Sequence, residues 1–304
     1  MSSVNITRAE AQQRSQVITA HNSKVLVDLS GRDPNGDPLA EPTETFVSSS
    51  TIEFSSTGGE SHLDLIADGV YAADLDGTPL DPAAFSNNRF PFTTEAGTHE
   101  ITVTALCRYS HSGEGLHRFV DPADGKVYLY TQFEIADARR MYADFEQPDQ
   151  KMTFELQVIA PTGWTVVSNS PTPEPTEGPW EGMSRWSFEP TLPISTYLTA
   201  LVAGEYYIDH GTIHTLSGEM DADILCRQSM KEHLDADRIR TTTQRGFEVY
   251  ESEFGYPYPF GKYTQSFVPE FNAGAMENAA CVTHRDDLLF RSRVTSAAYE
   301  NRDN

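Results

Sequence analysis

A short run near the C-terminal end of the sequence, Gly274-Ala275-Met276-Glu277-Asn278, carries one carboxylate among small residues. Small residues allow a second backbone to approach closely. An extended peptide could therefore dock by strand addition, with Glu277 near the point where that peptide ends and the Asn278 amide beside it. A loop or edge strand with a solvated glutamate explains the same residues, because so short a motif is weak evidence.

The histidines give no pattern that is typical of a metal site. A zinc helix would carry H-E-x-x-H, which the sequence does not contain. His99-Glu100 is the one His-Glu pair, and Val103 stands where the second histidine would be needed. His210 and His214 are spaced four apart, but their β-like surroundings argue against a helical metal pair.

Charge and composition exclude several classes of function. With 22 Lys and Arg against 45 Asp and Glu, the formal net charge is -23. Binding to nucleic acid or to an anionic membrane needs a basic surface, so neither is expected. The acidic charge is compatible with cationic ligands, although solubility is the better explanation because the charge is spread over the whole chain. A hydrophobic content of 38% suits a folded protein.

Three widely spaced cysteines, Cys107, Cys226 and Cys281, form no Cys-x-x-Cys pair. They are expected to be reduced thiols that fill the core of a cytoplasmic protein. The N-terminus has neither a basic region nor an apolar core, and the sequence contains no apolar run of membrane-spanning length.

The elements that would position these residues are mostly strands. A short helix is predicted over Thr7 to Ile18, with Thr7 as its cap. About ten strands with little helix then follow in the first two hundred residues, which is typical of a sandwich or a wide curved sheet. Thr45 to Ser55 and His62 to Ile66 are predicted as separate strands, and Tyr197 to Tyr207 as one central strand.

The pattern changes after residue 204, where helical periodicity appears. A helix is predicted from Asp235 to Phe254, closed by Gly255. A second one is predicted to begin at Thr295 or Ser296. We therefore expect two domains, 1–204 and 205–304.

Four segments, in order, carry a resemblance to a known family. Phe271 to Asn278 is similar to the GAMEN exopeptidase motif of the aminopeptidase N family of zinc metallopeptidases. Tyr130 to Glu134, Arg140 to Phe154 and Phe254 to Tyr263 resemble further segments of that family. The similarity is strongest to the cytosolic members from high-GC Gram-positive bacteria.

The resemblance implies a fold and an activity. Residues 1–204 would form a saddle-shaped β-sandwich domain, and residues 205–304 would begin a thermolysin-like peptidase domain. The fold class is thus expected to be mainly β with an α+β start. The activity implied is zinc-dependent removal of N-terminal residues from peptides, so peptides with a free N-terminus are the expected partners.

The resemblance also implies roles for individual residues. Glu277 and Glu134 would flank the α-ammonium group of the substrate, and Gln132 would add a hydrogen bond. Ala273 would line the pocket for the first side chain. The implied substrate-binding set is Gln132, Glu134, Ala273, Gly274, Ala275, Met276, Glu277 and Asn278.

The sequence departs from the family at the metal. In the family, the metal helix begins just after the position of Asn304, so the simplest interpretation is a fragment that ends before its zinc ligands. Zinc is expected in the full-length protein but not on this chain, which is expected to be inactive alone. The alternative is a non-catalytic peptide-binding or scaffold module of the same fold.

Overall fold

The computed structural model describes residues 5–290, and their architecture is mainly β, as predicted. The two α-helices of the described residues are α1 (Arg8–Val17) and α2 (Ala236–Phe254). The helix predicted to begin at Thr295 or Ser296 lies outside the described residues. No helix within residues 5–290 is both long enough and apolar enough to span a membrane.

Nineteen strands are present in residues 5–290. In chain order they are β1 (Ile18–Asp28), β2 (Thr45–Asp64), β3 (Gly69–Leu75), β4 (Thr78–Leu80), β5 (Arg89–Arg108), β6 (Gly115–Val120), β7 (Val127–Gln132), β8 (Thr153–Pro161), β9 (Thr165–Ser168), β10 (Thr176–Glu177), β11 (Met183–Ser187), β12 (Leu201–Gly204), β13 (Tyr207–Asp209), β14 (Thr212–Thr215), β15 (Gly218–Asp221), β16 (Ile224–Cys226), β17 (Thr264–Val268), β18 (Ala275–Met276) and β19 (Cys281–Arg285). Short 3-10 turns occur at Pro82–Ala84, Ala138–Arg140, Thr196–Leu198, Gln228–His233 and Asp286–Leu288.

The chain divides into two compact units that are discontinuous in sequence. The first comprises Met1–His117, Thr131–Thr162 and Thr172–Thr199, and the second comprises Arg118–Tyr130, Gly163–Pro171 and Ala200–Asn304. The sequence-based boundary at residue 204 divides the chain only once, and it stays a prediction.

The first unit is built on an eight-stranded sheet in the order β10-β11-β8-β1-β2-β5-β3-β4. Strands β1 and β8 are parallel, and the other neighbours are antiparallel. Three phenylalanine rings pack together in its core, with centroids no more than 6.3 Å apart: Phe54, Phe92 and Phe145. Thr7 caps helix α1, as predicted, and the structure adds a reciprocal capping box between Thr7 and Glu10.

Two strands predicted between residues 45 and 66 are one strand. Strand β2 runs from Thr45 to Asp64 and pairs with β5 along its length without a shift in register. Gly58 and Gly59 have φ of 93° and 125°, which only glycine adopts readily. The strand therefore continues through the glycines, and a sequence pattern cannot distinguish a glycine inside a strand from one that ends it.

The second unit contains a five-stranded sheet in the order β13-β16-β17-β19-β18. Strands β16, β17 and β19 are parallel, and the short β18 pairs antiparallel with β19. Helix α2 begins after Asp235 and ends at Gly255, which has φ of 61°, as predicted. The hairpin β14-β15 and most of the sheet β6-β7-β12-β9 also belong to this unit.

Candidate functional site

Strand β18, which contains Ala275 and Met276, is the last strand of the five-stranded sheet. Ala275 pairs with His284 and Met276 with Thr283 on β19. In the described sheet order, the other side of β18 has no neighbouring strand. An edge strand presents backbone N–H and C=O groups that a further extended chain can pair with.

Side chains alternate between solvent and core along this segment. Ala275 and Glu277 are exposed, whereas Met276 and Asn278 are 1% and 2% exposed. The buried Asn278 amide donates a hydrogen bond to Thr283 Oγ1 over 3.4 Å. Because strand residues two apart share a face, Ala275 and Glu277 lie on the solvent side and the buried pair anchors them.

Strained backbone flanks the segment on both sides. Glu270 and Ala280 have φ of 55° and 60°, a region that non-glycine residues rarely occupy. Such conformations cost about 1–3 kcal/mol each and cluster at functional sites. Ala273 is half-buried, and a Cβ placed on Gly274 would meet no heavy atom within 4 Å. The segment therefore has open space in front of Gly274.

Gln132 is the last residue of β7, and Glu134 lies in the turn that follows; both belong to the first unit. Glu134 is exposed. Gln132 is 6% exposed, and its Oε1 has no hydrogen-bond partner within residues 5–290. A buried acceptor without a partner is uncommon in folded proteins and calls for a ligand or water. Glu277 belongs to the second unit, so the arrangement of both carboxylates around one cation stays a prediction.

Two family models match the chain in consecutive order. The Peptidase M1 N-terminal domain matches residues 84–198, and the Peptidase family M1 domain matches residues 240–304. The chain belongs to the peptidase M1 family. The predicted family is therefore confirmed, and the mainly β fold agrees with an M1 N-terminal domain followed by the start of the M1 peptidase domain.

Individual relatives agree with this assignment. The M1 chain is 48% identical to "Aminopeptidase N" of Streptomyces lividans over 99% of its own length. It is 31% identical to "Aminopeptidase N" of Acetobacter pasteurianus over 70% of its length, and 31% identical to that of Bos taurus over 68%. The chain spans 34%, 59% and 22% of these proteins, respectively.

The zinc ion that the M1 family implies needs His, Cys, Asp or Glu side chains as ligands. Residues 5–290 contain no group of three or more His, Cys, Asp or Glu side chains that could hold a metal ion. His99 lies on β5, where the hydrogen bond with Asp76 raises the pKa of the imidazole. His210 Nδ1 lies 3.2 Å from Asp223 Oδ1. The described residues of this M1 chain therefore do not fit a zinc ion.

The sequence did not predict the roles of two buried side chains that hold the backbone just after Gly274 to Asn278. Asn169 and Lys262 donate hydrogen bonds to the carbonyls of Ala279 and Ala280, directly after Asn278. Lys262 lies in the Phe254 to Tyr263 segment of the resemblance, which pointed to the region but not to a role. Asn169 follows a β-strand and carried no sequence signal.

Proposed function

We propose that this chain is the part of a zinc-dependent aminopeptidase that recognises the free α-amino group and the first backbone groups of a peptide. The observation that carries the proposal is the edge strand β18, with exposed Glu277 directly after it. A peptide paired with β18 would extend the sheet by one strand, and its specificity would come from side chains at the strand's end. Gly274 leaves room for its backbone, because a Cβ there would meet no heavy atom within 4 Å.

A carboxylate at this position favours a chain terminus over an internal peptide bond. The α-amino group carries a positive charge near neutral pH, since its ordinary pKa is about 7.7–8.0. A desolvated ammonium is costly unless it is paired and hydrogen-bonded. Glu277 and Glu134 would supply the two carboxylates and Gln132 the hydrogen bond, for which its unpartnered Oε1 is suited. An internal amide has no charge to offer them.

The smallness of Ala273 supports a pocket for the first side chain that accepts large residues. We propose that buried Asn278 does not contact the substrate. Its amide donates a hydrogen bond to Thr283 Oγ1 and so holds the backbone of Gly274 to Asn278 in place. A cytoplasmic location is also proposed. Cys107, Cys226 and Cys281 are buried free thiols, which are typical of a reducing compartment.

The test uses the protein expressed from its complete gene, with Glu277→Gln and Glu134→Gln compared with wild type. Each variant loses one charge-assisted hydrogen bond worth about 1.5–3 kcal/mol, so kcat/KM for free-amine aminoacyl amides is expected to fall roughly 10- to 150-fold. Activity on N-acetylated analogues, already low, is expected to stay unchanged. Glu219→Gln, an exposed carboxylate on β15, is the matched control.

Wild-type kinetics in both variants would refute the assigned roles. The alternative, a non-catalytic peptide-binding module, makes a different prediction for the complete protein. It would bind peptides with a free N-terminus, as measured by calorimetry, and release them uncleaved.

A further inference from the structure

The stretch Gly274 to Asn278 is called the Glu277 segment. The backbone of the two residues that follow it is held by side chains that are distant in sequence but lie in the same unit. Asn169 Nδ2 donates to the Ala279 carbonyl over 2.7 Å, and Asn169 Oδ1 accepts from the Ala200 backbone N–H over 2.8 Å. Asn169 is 4% exposed. Its amide therefore joins the segment to a neighbouring stretch of backbone, away from solvent competition.

A buried lysine holds the next carbonyl. Lys262 Nζ donates to the Ala280 carbonyl over 3.2 Å and to Thr264 Oγ1 over 2.9 Å. The Thr264 backbone N–H also donates to the Ala280 carbonyl, over 3.1 Å. Ala280 is the left-handed residue at the C-terminal end of the segment. The carbonyl of this strained residue thus receives two donors.

Packing alone does not explain why a charged side chain, rather than an apolar one, occupies position 262. The side chain is buried, and both hydrogen-bond acceptors of its ammonium among residues 5–290 are neutral. Burial lowers the pKa of Lys262. A methionine would fill a similar space without the desolvation penalty, and such replacements are often neutral or stabilising. The Asp223 and Asp221 carboxylates attract the ammonium, but burial outweighs that attraction, so stability alone is a weak reason for a lysine here.

We propose that Lys262 is a positioning residue for Glu277. Its ammonium, together with the Asn169 amide, fixes the carbonyls of Ala280 and Ala279 and so aims the exposed carboxylate at the end of a docked peptide. Displacement of a recognition group by about 1 Å can cost a hundredfold in rate, which makes a rigid support valuable. The inference rests on the proposed function, since it assigns to Glu277 the binding of the α-ammonium group.

The first measurement compares Lys262→Met with wild type in the protein expressed from its complete gene. We expect kcat/KM for free-amine aminoacyl amides to fall at least tenfold, mainly through KM, while the thermal unfolding midpoint stays the same or rises. Lys231→Met, at an exposed lysine of the same unit whose ammonium lies over the Tyr207 ring, is the control for activity and should leave kcat/KM unchanged. A merely structural lysine would show the reverse, with a lower midpoint and wild-type KM.

The second measurement is a double-mutant cycle with Glu277→Gln. If Lys262 acts through Glu277, Lys262→Met should cost less than twofold in the Glu277→Gln background. Fully additive losses would overturn the positioning role. If Glu277→Gln weakens activity and Lys262→Met does not, only the Lys262 inference fails. If Glu277→Gln behaves as wild type, the proposed function fails and the inference with it. Lys262→Leu, which also lacks an N–H donor, replaces Lys262→Met if that variant does not fold, and the same criteria apply.

Discussion

Buried carboxylates of the first unit show how single residues tie stability to pH. Asp144 and Glu146 are 0% and 5% exposed, and burial raises the pKa of Asp144 well above its usual range. Burial also raises the pKa of Glu146 to about 7, although its carboxylate accepts from the Arg139 N–H and Thr196 Oγ1. Because the folded state holds these protons more tightly than the unfolded chain, the protonated forms favour folding.

The first unit should become less stable as pH rises from 4.5 to about 7. Across that window the unfolded chain releases the Glu146 proton and the folded chain retains it, so the free energy of unfolding falls by up to about 3 kcal/mol. We expect Glu146→Gln to reduce this decline, with Asp144 supplying the slope that remains, because glutamine is always neutral and can still accept from the Arg139 N–H and donate to Thr196 Oγ1. Urea unfolding at pH 5, 6, 7 and 8 measures how the free energy of unfolding of each protein depends on pH.

The control for that series is Glu189→Gln, which removes one exposed charge from the same unit and should keep the wild-type slope. A Glu146→Gln protein whose stability falls with pH as steeply as wild type would contradict the assignment of the slope to this carboxyl group.

At the scale of elements, local signals were predictable and long-range ones were not. The ends of α1 and α2 could be predicted because Thr7, Asp235 and Gly255 act within one helical turn. The stretch Gly274 to Asn278 could be picked out because it is contiguous, but only the family resemblance assigned it a role, and that role stays a prediction. Asn169, in contrast, contacts a carbonyl 110 positions away, and no periodicity encodes that contact.

The stretch from Tyr197 to Tyr207 shows the same limit. It was predicted as one strand, but Leu201–Gly204 and Tyr207–Asp209 are separate strands in different sheets. The reason lies at Gly204, which has φ of 143°. A Cβ there would clash with the Val127 carbonyl oxygen and lie 3.1 Å from Tyr128 Cα on the paired strand. Only the fold reveals that close approach.

Gly204→Ala should therefore destabilise the second unit by about 2–4 kcal/mol, combining steric overlap with an unfavourable φ. Gly246→Ala is the matched control. Gly246 lies within α2, where a Cβ would meet no heavy atom within 4 Å, and the variant should gain roughly 0.5–1 kcal/mol from higher helix propensity. Denaturant unfolding of both variants measures the change in the free energy of unfolding caused by each substitution. Equal effects of the same sign would contradict the steric explanation.

At the scale of the whole molecule, an aromatic surface on the second unit stands out. Tyr250, Phe254 and Tyr256 are 63%, 76% and 65% exposed, and the Tyr250 and Phe254 rings stack with centroids 6.0 Å apart. They border a groove of about 380 Å³ that also contains Phe247 and Tyr258. Isolated exposed apolar residues are ordinary, but a contiguous aromatic surface favours association.

The 304-residue chain should consequently self-associate as its concentration rises, and more strongly at high salt, which screens the repulsion of its net charge of -23. Phe254→Lys with Tyr256→Lys should reduce the weight-average mass seen by light scattering, because each lysine places a hydrated charge in the aromatic surface. Leu192→Lys, at an exposed leucine of the first unit, adds charge away from the aromatic surface and should leave the weight-average mass unchanged. A wild-type chain that stays monomeric at all concentrations and melts cooperatively would show that this surface is too small or too well solvated to associate.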